Sequence, residues 1–222
     1  MRGIKKNPYP QPSIRRLPSY LRFLRRLRGE GLLKVSCTEI ARELDLDSTQ
    51  VRKDLALTGI VGRPRIGYGL ADLILAIEDF LGWDRTSDAF LAGVGNLGRA
   101  LIGYDNFRQC GLNIAKVFDT DGDKVGSMVF GRRIHRLGEM PALAAKSGVG
   151  LGIITVPAAA AQKVADIMAA SGIKGIWNFS PVRLELPSRI LVENVELVSS
   201  FAILSANMRR KRSRGVAAGH ST

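Results

Sequence analysis

Cysteine and histidine are nearly absent from this chain. Its 222 residues hold two cysteines, Cys37 and Cys110, in separate segments, and two histidines, His135 and His220. So few ligating side chains, without metal-ligand spacing, argue against a disulfide scaffold and against a metal site, and they favour a reducing, cytoplasmic compartment. Long apolar runs are also lacking. The longest weakly interrupted one, Val149 to Ala161, has 13 residues and contains Gly, Thr and Pro, which is too short to span a bilayer. The Arg-rich N-terminus is followed by neither an apolar block nor a small-residue cleavage site, so no secretory signal and no membrane partner are expected.

What is present is an ordinary globular composition, 45% hydrophobic and 24% charged, with a net charge of +13. This excludes a wholly disordered chain, and the length suits one large domain or two small ones. The charge is unevenly placed. Residues 1–70 carry 15 Lys/Arg against 6 Asp/Glu, residues 71–205 carry 13 against 14, and residues 206–222 carry 5 against none. A nearly neutral centre between two basic ends points to a polyanion as partner.

From about Ser13 to Arg28, Ile14, Leu17, Leu21, Leu24 and Leu27 recur at helical spacing, with arginines largely off that stripe. Pro18 is read as lying near the helix start. Ser36-Cys37-Thr38-Glu39 is a capping box that predicts a second helix. Ile40, Ala41 and Leu44 give that helix a buried face. Asp45 takes the tight-turn position, and Asp47 caps a third helix in which Val51 and Leu55 face inward. Two short helices so joined describe a helix-turn-helix. The second would expose Ser48, Thr49, Gln50, Arg52 and Lys53, side chains able to read base edges and grip phosphates. Gly59 to Tyr68 then reads as a hairpin wing, two short strands around Arg63-Pro64-Arg65, whose arginines would meet a groove or the DNA backbone. An apolar stripe from Leu70 to Leu81 ends at Gly82, and the shift in charge and pattern places a domain boundary near residue 85.

The strand Ala89–Ala92 runs into Gly93-Val94-Gly95-Asn96-Leu97-Gly98 and then a helix. A second strand, Leu112 to Phe118, ends in Asp119. The G-x-G-x-x-G pattern acquires meaning from this strand–turn–helix context and from an acid at the expected distance. Gly93 makes the turn, Gly95 admits a pyrophosphate and Gly98 lets the helix pack. Asp119 would bind an adenosine ribose and repel a 2′-phosphate, favouring NAD(H) over NADP(H). Further alternation, with strands at Ile134-His135, Leu151–Val156 and Lys174–Phe179 and helices at Leu137–Lys146 and Ala158–Ser171, predicts a doubly wound parallel sheet. Ligands bind at the carboxyl ends of such strands, so Val156-Pro157 and Phe179-Ser180-Pro181 are candidate nicotinamide walls.

Acid–base machinery is scarce. His135 reads as an ordinary strand residue and His220 lies in the tail. The Tyr-x-x-x-Lys pair of short-chain dehydrogenases is missing, since Tyr104 has Arg108 at that offset. A dinucleotide site with these features suggests sensing rather than turnover. Leu197, Phe201, Leu204 and Met208 form a last apolar helical face, with Arg209-Arg210-Lys211-Arg212 behind it.

The order of winged helix-turn-helix, Rossmann domain and C-terminal helix resembles the Rex family of bacterial redox-sensing transcriptional repressors. The resemblance rests on Arg16-Leu17-Pro18-Ser19-Tyr20-Leu21-Arg22, Gln50-Val51-Arg52-Lys53-Asp54-Leu55, Gly67-Tyr68, Gly93 to Gly98, Phe118-Asp119, Val156-Pro157, Gly172 to Ile176, Asn178-Phe179-Ser180-Pro181 and Val192-Glu193-Asn194-Val195. It implies a homodimer with swapped C-terminal helices that binds palindromic operator DNA when NADH is low and releases it when NADH rises. It also implies a switch network of Arg22, Tyr104 and Glu196. Three features depart from the family: Leu57-Thr58-Gly59 replaces Tyr-Phe-Gly, the wing carries Arg-Pro-Arg, and Glu196 stands for Asp. The expected division is 1–85 for DNA binding, 86–194 for NAD(H), 195–208 for dimerisation and 209–222 for a disordered basic tail. Two alternatives stay open: a small NAD-dependent oxidoreductase with basic ends, and a CoA- or nucleotide-binding regulatory module.

Overall fold

The apolar stripe at the N-terminus dictates the first element. In the computed structural model, which describes residues 9–218, helix α1 (Gln11–Gly29) buries Leu17, Tyr20, Leu21, Phe23 and Leu24 and turns Arg15, Arg22, Arg26 and Arg28 outward. Pro12 is the proline that starts this helix; Pro18 lies well inside it, where it withholds one N–H from the ladder. Strand β1 (Lys34–Val35) leads to α2 (Cys37–Leu44), which opens on the expected capping box: the Ser36 side chain accepts from Glu39 N, and the Glu39 carboxylate accepts from Ser36 N. The Ser36 hydroxyl, which also donates to the Glu39 carboxylate, and the Ser36 N–H hold the Glu39 carboxyl below its usual range. Asp45 closes α2 in the left-handed conformation, φ 52° and ψ 52°, which Asp tolerates better than most residues. Helix α3 (Ser48–Ala56) follows with Asp47 as its cap.

The wing differs from the expected pair of strands around Arg-Pro-Arg. Strand β2 (Tyr68–Gly69) pairs antiparallel with β1, from before α2, and the hairpin itself is a single bridge between Arg63 and Gly67. The reason lies in the tip. Pro64 and Arg65 form a tight turn that Ile66 N closes onto Arg63 O, Arg65 takes φ 62°, and Tyr68 packs its ring over Gly62. Helix α4 (Leu70–Leu81) completes this unit's core, which gathers Leu24, Ile40, Val51, Leu55, Leu73 and Ile77.

The second unit is a seven-stranded sheet: β3 (Ser87–Ala92), β4 (Leu112–Asp119), β5 (Met128–Val129), β6 (Arg132–Arg136), β7 (Leu151–Ile154), β8 (Gly175–Asn178) and β9 (Leu191–Asn194), in the spatial order β5-β6-β4-β3-β7-β8-β9. The pairs β4–β6, β3–β7, β7–β8 and β8–β9 run parallel; only the edge pair β5–β6 is antiparallel among those whose direction is set by register. Phe90 and Phe118 sit fully buried side by side at the sheet centre, 5.1 Å between rings. Helices α5 (Asn96–Ile102), α7 (Met140–Ser147) and α8 (Ala158–Ala170) alternate with the strands.

The division of the chain is not a single cut. One compact unit runs through Thr86 and also takes in Asn106–Leu112, which contains the short helix α6 (Asn106–Gln109); the other takes Ser87–Asp105 and everything from Asn113 on. Helix α9 (Leu197–Ala218) extends past residue 208 through the basic stretch expected to be a disordered tail; residues 219–222 lie outside those described. Arg, Lys and Ala are good helix formers, which explains the continuation. Among the described residues, no helix is long and apolar enough to cross a membrane, and no cluster of His, Cys, Asp or Glu is placed to hold a metal.

Candidate functional site

The nucleotide-site candidates converge at the carboxyl ends of the central strands. β3 ends at Ala92, and Gly93 turns away with φ 101°. A Cβ there would fall 2.8 Å from the Thr155 carbonyl, and a Cβ on Gly98 would fall 2.0 Å from Gly93 O. Both positions therefore admit glycine alone. Gly95 is different: a Cβ there would meet nothing within 4 Å, so its glycine is not needed for packing and leaves room for a ligand's close approach. Gly95 is also the N-cap of α5 and supplies no side-chain cap, and Asn96 beside it is exposed. The cradle fits a dinucleotide's phosphates.

Asp119 is joined to this turn. Its Oδ2 accepts from Val94 N at 2.7 Å, and its Oδ1 accepts from Thr120 N and Asp121 N. Lys124, paired with Asp121 at 3.0 Å, lies 3.8 Å from the Asp119 carboxylate. The acid thus positions the turn.

Three polar residues hold the rest of the rim: Ser180, which belongs to the expected nicotinamide wall, and Thr155 and Asn178, which the sequence did not single out for the site. Thr155 Oγ1 donates to Gly93 O at 2.7 Å and approaches Ala92 O at 3.1 Å, fixing the turn against the end of β7. Ser180 Oγ donates to Val156 O at 2.5 Å, tying the loop after β8 to the loop after β7. Asn178, fully buried, donates to Val182 O and to Asn194 Oδ1, both at 2.9 Å, and accepts from Ser180 N. Val156 and Phe179 are half-buried on this rim, Pro157 and Pro181 exposed, and Phe179 rests on Trp177 at 4.8 Å. A lone Thr, Asn or Ser in sequence carries no signal of such a task, which is set by neighbours from distant segments. His135 contacts Glu139 at 3.1 Å and the Phe118 ring at 5.7 Å.

On the N-terminal unit, Asp47 accepts from Thr49 N and Gln50 N and so points the first turn of α3 outward. Those bonds lower the Asp47 carboxyl's pKa. Thr49, Arg52, Lys53, Arg63 and Arg65 are exposed, and Ser48 is partly so. Gln50 is partly exposed, and its Nε2 donates to Asp54 Oδ1 at 2.8 Å. Asp54 is a fully buried carboxylate that also accepts from Arg16 Nε (2.6 Å), Arg16 Nη2 (2.8 Å) and the Tyr20 hydroxyl (2.6 Å). Burial pushes its pKa up, but the bonds from Arg16, Tyr20, Ser13 and Gln50 outweigh that and hold it at about 2. Conversely, burial and the adjacent carboxylate raise the Tyr20 hydroxyl. This ionic clamp locks α3 to α1.

The three switch candidates have local partners or surroundings. Arg22 donates to Ser19 Oγ at 3.3 Å, Glu196 accepts from Ser199 Oγ at 2.7 Å, and Tyr104 is half-exposed just after α5. Helix α9 leaves Val198, Phe201, Ile203, Leu204 and Met208 exposed.

Family models match both halves of this arrangement. The model described as "Putative DNA-binding protein N-terminus" covers residues 9–56, and that described as "CoA binding domain" covers 84–182. The redox-sensing transcriptional repressor Rex of Treponema denticola is 41% identical over 201 residues, which is 90% of this chain and 96% of that protein. The chain belongs to the Rex family of redox-sensing transcriptional repressors. Solved structures agree: RSP in complex with β-NAD+ and operator DNA aligns with a TM-score of 0.87 and 29% identity, over 98% of this chain and all of that one. RSP in complex with β-NADH aligns at 0.84 and 29%, over 96% of this chain and all of that one. The winged-helix unit with a Rossmann-type sheet is thus the Rex architecture.

Proposed function

We propose that this protein binds palindromic operator DNA as a homodimer in the cytoplasm, holds NAD(H) on its sheet, and releases the operator when NADH occupies that site. The observation that carries the reading is the cradle. Gly93 and Gly98 are closed by backbone, Gly95 is open, and Asp119 is bonded to the turn between them. The RSP complexes with NAD+, NADH and operator DNA support the same ligand and partner here.

Each residue set has a distinct task. The backbone of Gly93, Val94, Gly95, Asn96, Leu97 and Gly98 meets the pyrophosphate, and Asp119 meets the adenosine ribose. Val156, Pro157, Phe179 and Pro181 form an apolar wall for the nicotinamide. The bound group supplies a ring that is positively charged when oxidised and neutral when reduced. An apolar wall favours the neutral ring, because burying an uncompensated charge is costly. Ser48, Thr49, Gln50, Arg52, Lys53, Arg63 and Arg65 hold the duplex, Gln50 being also bonded to Asp54. Arg22, Tyr104 and Glu196 form the switch, and α9, whose apolar face is uncovered within one chain, seats on the partner protomer. A ligand shifts such a dimer only by its differential affinity for the two arrangements; a hundredfold preference is about 2.7 kcal/mol per site.

The reading makes the protein a sensor and not an enzyme. The test is fluorescence anisotropy on genomic fragments bearing the operator, with NADH, NAD+ or CoA added to the purified protein. Loss of binding with NADH alone is the expected result. Loss with CoA alone, or indifference to all three, would overturn it.

A further inference from the structure

We propose that Arg25 is a positioning residue for the redox response: by pinning the Asn106–Leu112 segment to the DNA-binding unit, it converts a shift of helix α5 into a shift of the recognition helix. This inference rests on the functional reading above.

The covalent path is short. Helix α5 begins at the Gly-rich turn and ends at Ile102; Gly103, Tyr104 and Asp105 follow, and at Asn106 the chain joins the other unit. There the segment is held in two ways. Arg25 Nη2, on α1, donates to Gln109 O at 3.1 Å and to Glu78 Oε1 of α4 at 2.8 Å. Gly111, at φ 70°, packs so closely on the chain at 83–85 that a Cβ would fall 2.5 Å from Arg85 O. Arg25 and Glu78 are largely buried, at 28% and 19% side-chain exposure. A partly buried guanidinium holding a carboxylate and a carbonyl is a stiff joint. Burial raises the pKa of the adjacent Cys110 thiol, and the Arg25 charge opposes that rise.

The clamp then continues within the same unit. α1 carries Arg25 and, nine and five residues earlier, Arg16 and Tyr20, which grip Asp54 of α3. α5 is thereby connected through covalent chain and named bonds to the helix that exposes Arg52 and Lys53. On the far side of the crossing, Phe130, strained at φ 44°, lays its ring over Gly103 so closely that a Cβ there would fall 2.8 Å away. The crossing is therefore held from both of its ends.

The test measures the linkage itself on full-length protein. Operator affinity is measured with and without saturating NADH, and NADH affinity is measured without DNA. Coupling of this kind is about 5–150-fold in other systems. In Arg25→Gln the ratio should fall below about 3-fold, with NADH affinity in the absence of DNA and melting temperature near those of wild type, and Arg25→Lys should restore part of it. An undiminished ratio in Arg25→Gln overturns the inference, as does a loss of operator affinity that leaves the ratio intact. Should Arg25→Gln fold poorly, hydrogen exchange on wild type decides: NADH must change protection of α1 and of Asn106–Leu112 together, and an unchanged α1 contradicts the proposal. Wild type that ignores NADH would instead defeat the functional reading.

Discussion

The recognition helix α3 and the glycine-rich turn both face phosphate in the proposed function, yet one does so with long side chains and the other with main chain. α3 presents Arg52 and Lys53 from a helix fixed by a buried carboxylate, Asp54, and its accepting bonds. The turn presents backbone at Gly95 from a loop fixed by missing side chains at Gly93 and Gly98. Charge on flexible stems tolerates the variable path of a duplex and is sensitive to salt. Main-chain atoms in a closed turn suit a single rigid ligand. The two regions should therefore fail differently when altered.

The largest effect is expected at Asp54. Asp54→Ala leaves the buried Tyr20 hydroxyl and the partly exposed Arg16 guanidinium without their shared acceptor and should cost about 2–3 kcal/mol in the N-terminal unit. Denaturant unfolding should show this loss, and operator binding should vanish while NADH still binds. The same carboxylate sets an acid limit. Its folded pKa, about 2, lies below the ordinary unfolded value of about 3.9. The contribution is full above the unfolded value and is lost as pH falls from about 4 toward about 2, by about 2 kcal/mol. Unfolding curves between pH 5 and 2 measure it, and Asp54→Asn should flatten that slope.

Next come the two glycines that separate fold from ligand. Gly98→Ala has no room and should destabilise the sheet unit along with nucleotide binding. Gly95→Ala has room in the fold and should leave the melting temperature unchanged while weakening NADH by about tenfold or more, or about 1.4 kcal/mol. Equal behaviour of the two would erase the distinction drawn here. Arg52→Ala should weaken operator binding at every salt concentration and reduce the salt slope by about 1, with NADH affinity intact. Asp119→Asn keeps the acceptor for Val94 N but drops the charge, so discrimination against NADPH should relax in a competition titration. The smallest effect is at the wing: Arg65→Gly removes a left-handed arginine at φ 62° and should stabilise the unit by about 1 kcal/mol, at the loss of one DNA-facing charge.

Much of this was legible along the chain where the physics is local. The Ser36–Glu39 box, the left-handed Asp45, the Asp47 cap and the Gly93–Gly98 turn before α5 each depend on residues within one turn of each other. The strand pairing β1–β2 was not legible, because two-residue strands show no alternation and Lys34 meets Gly69 across the whole helix-turn-helix. The edge hairpin Met128–Arg136 was read only at its second strand for the same reason. The bond from the Gln50 amide to Asp54 was not legible either, because nothing in the sequence says that Asp54, one turn later, is buried. Thr155, Asn178 and Ser180 required the spatial neighbours that a parallel sheet brings together from distant segments. The return of Asn106–Leu112 to the first unit left no trace in composition at all.

Reciprocity offers the most direct test of the central claim, since whatever NADH does to operator affinity, operator must do to NADH affinity. NADH binding should be measured by fluorescence titration on free protein and on protein saturated with operator duplex, with NAD+ in parallel. The account predicts that operator weakens NADH by the same factor by which NADH weakens operator, and does not weaken NAD+ to that extent. An NADH affinity unmoved by saturating operator would contradict it.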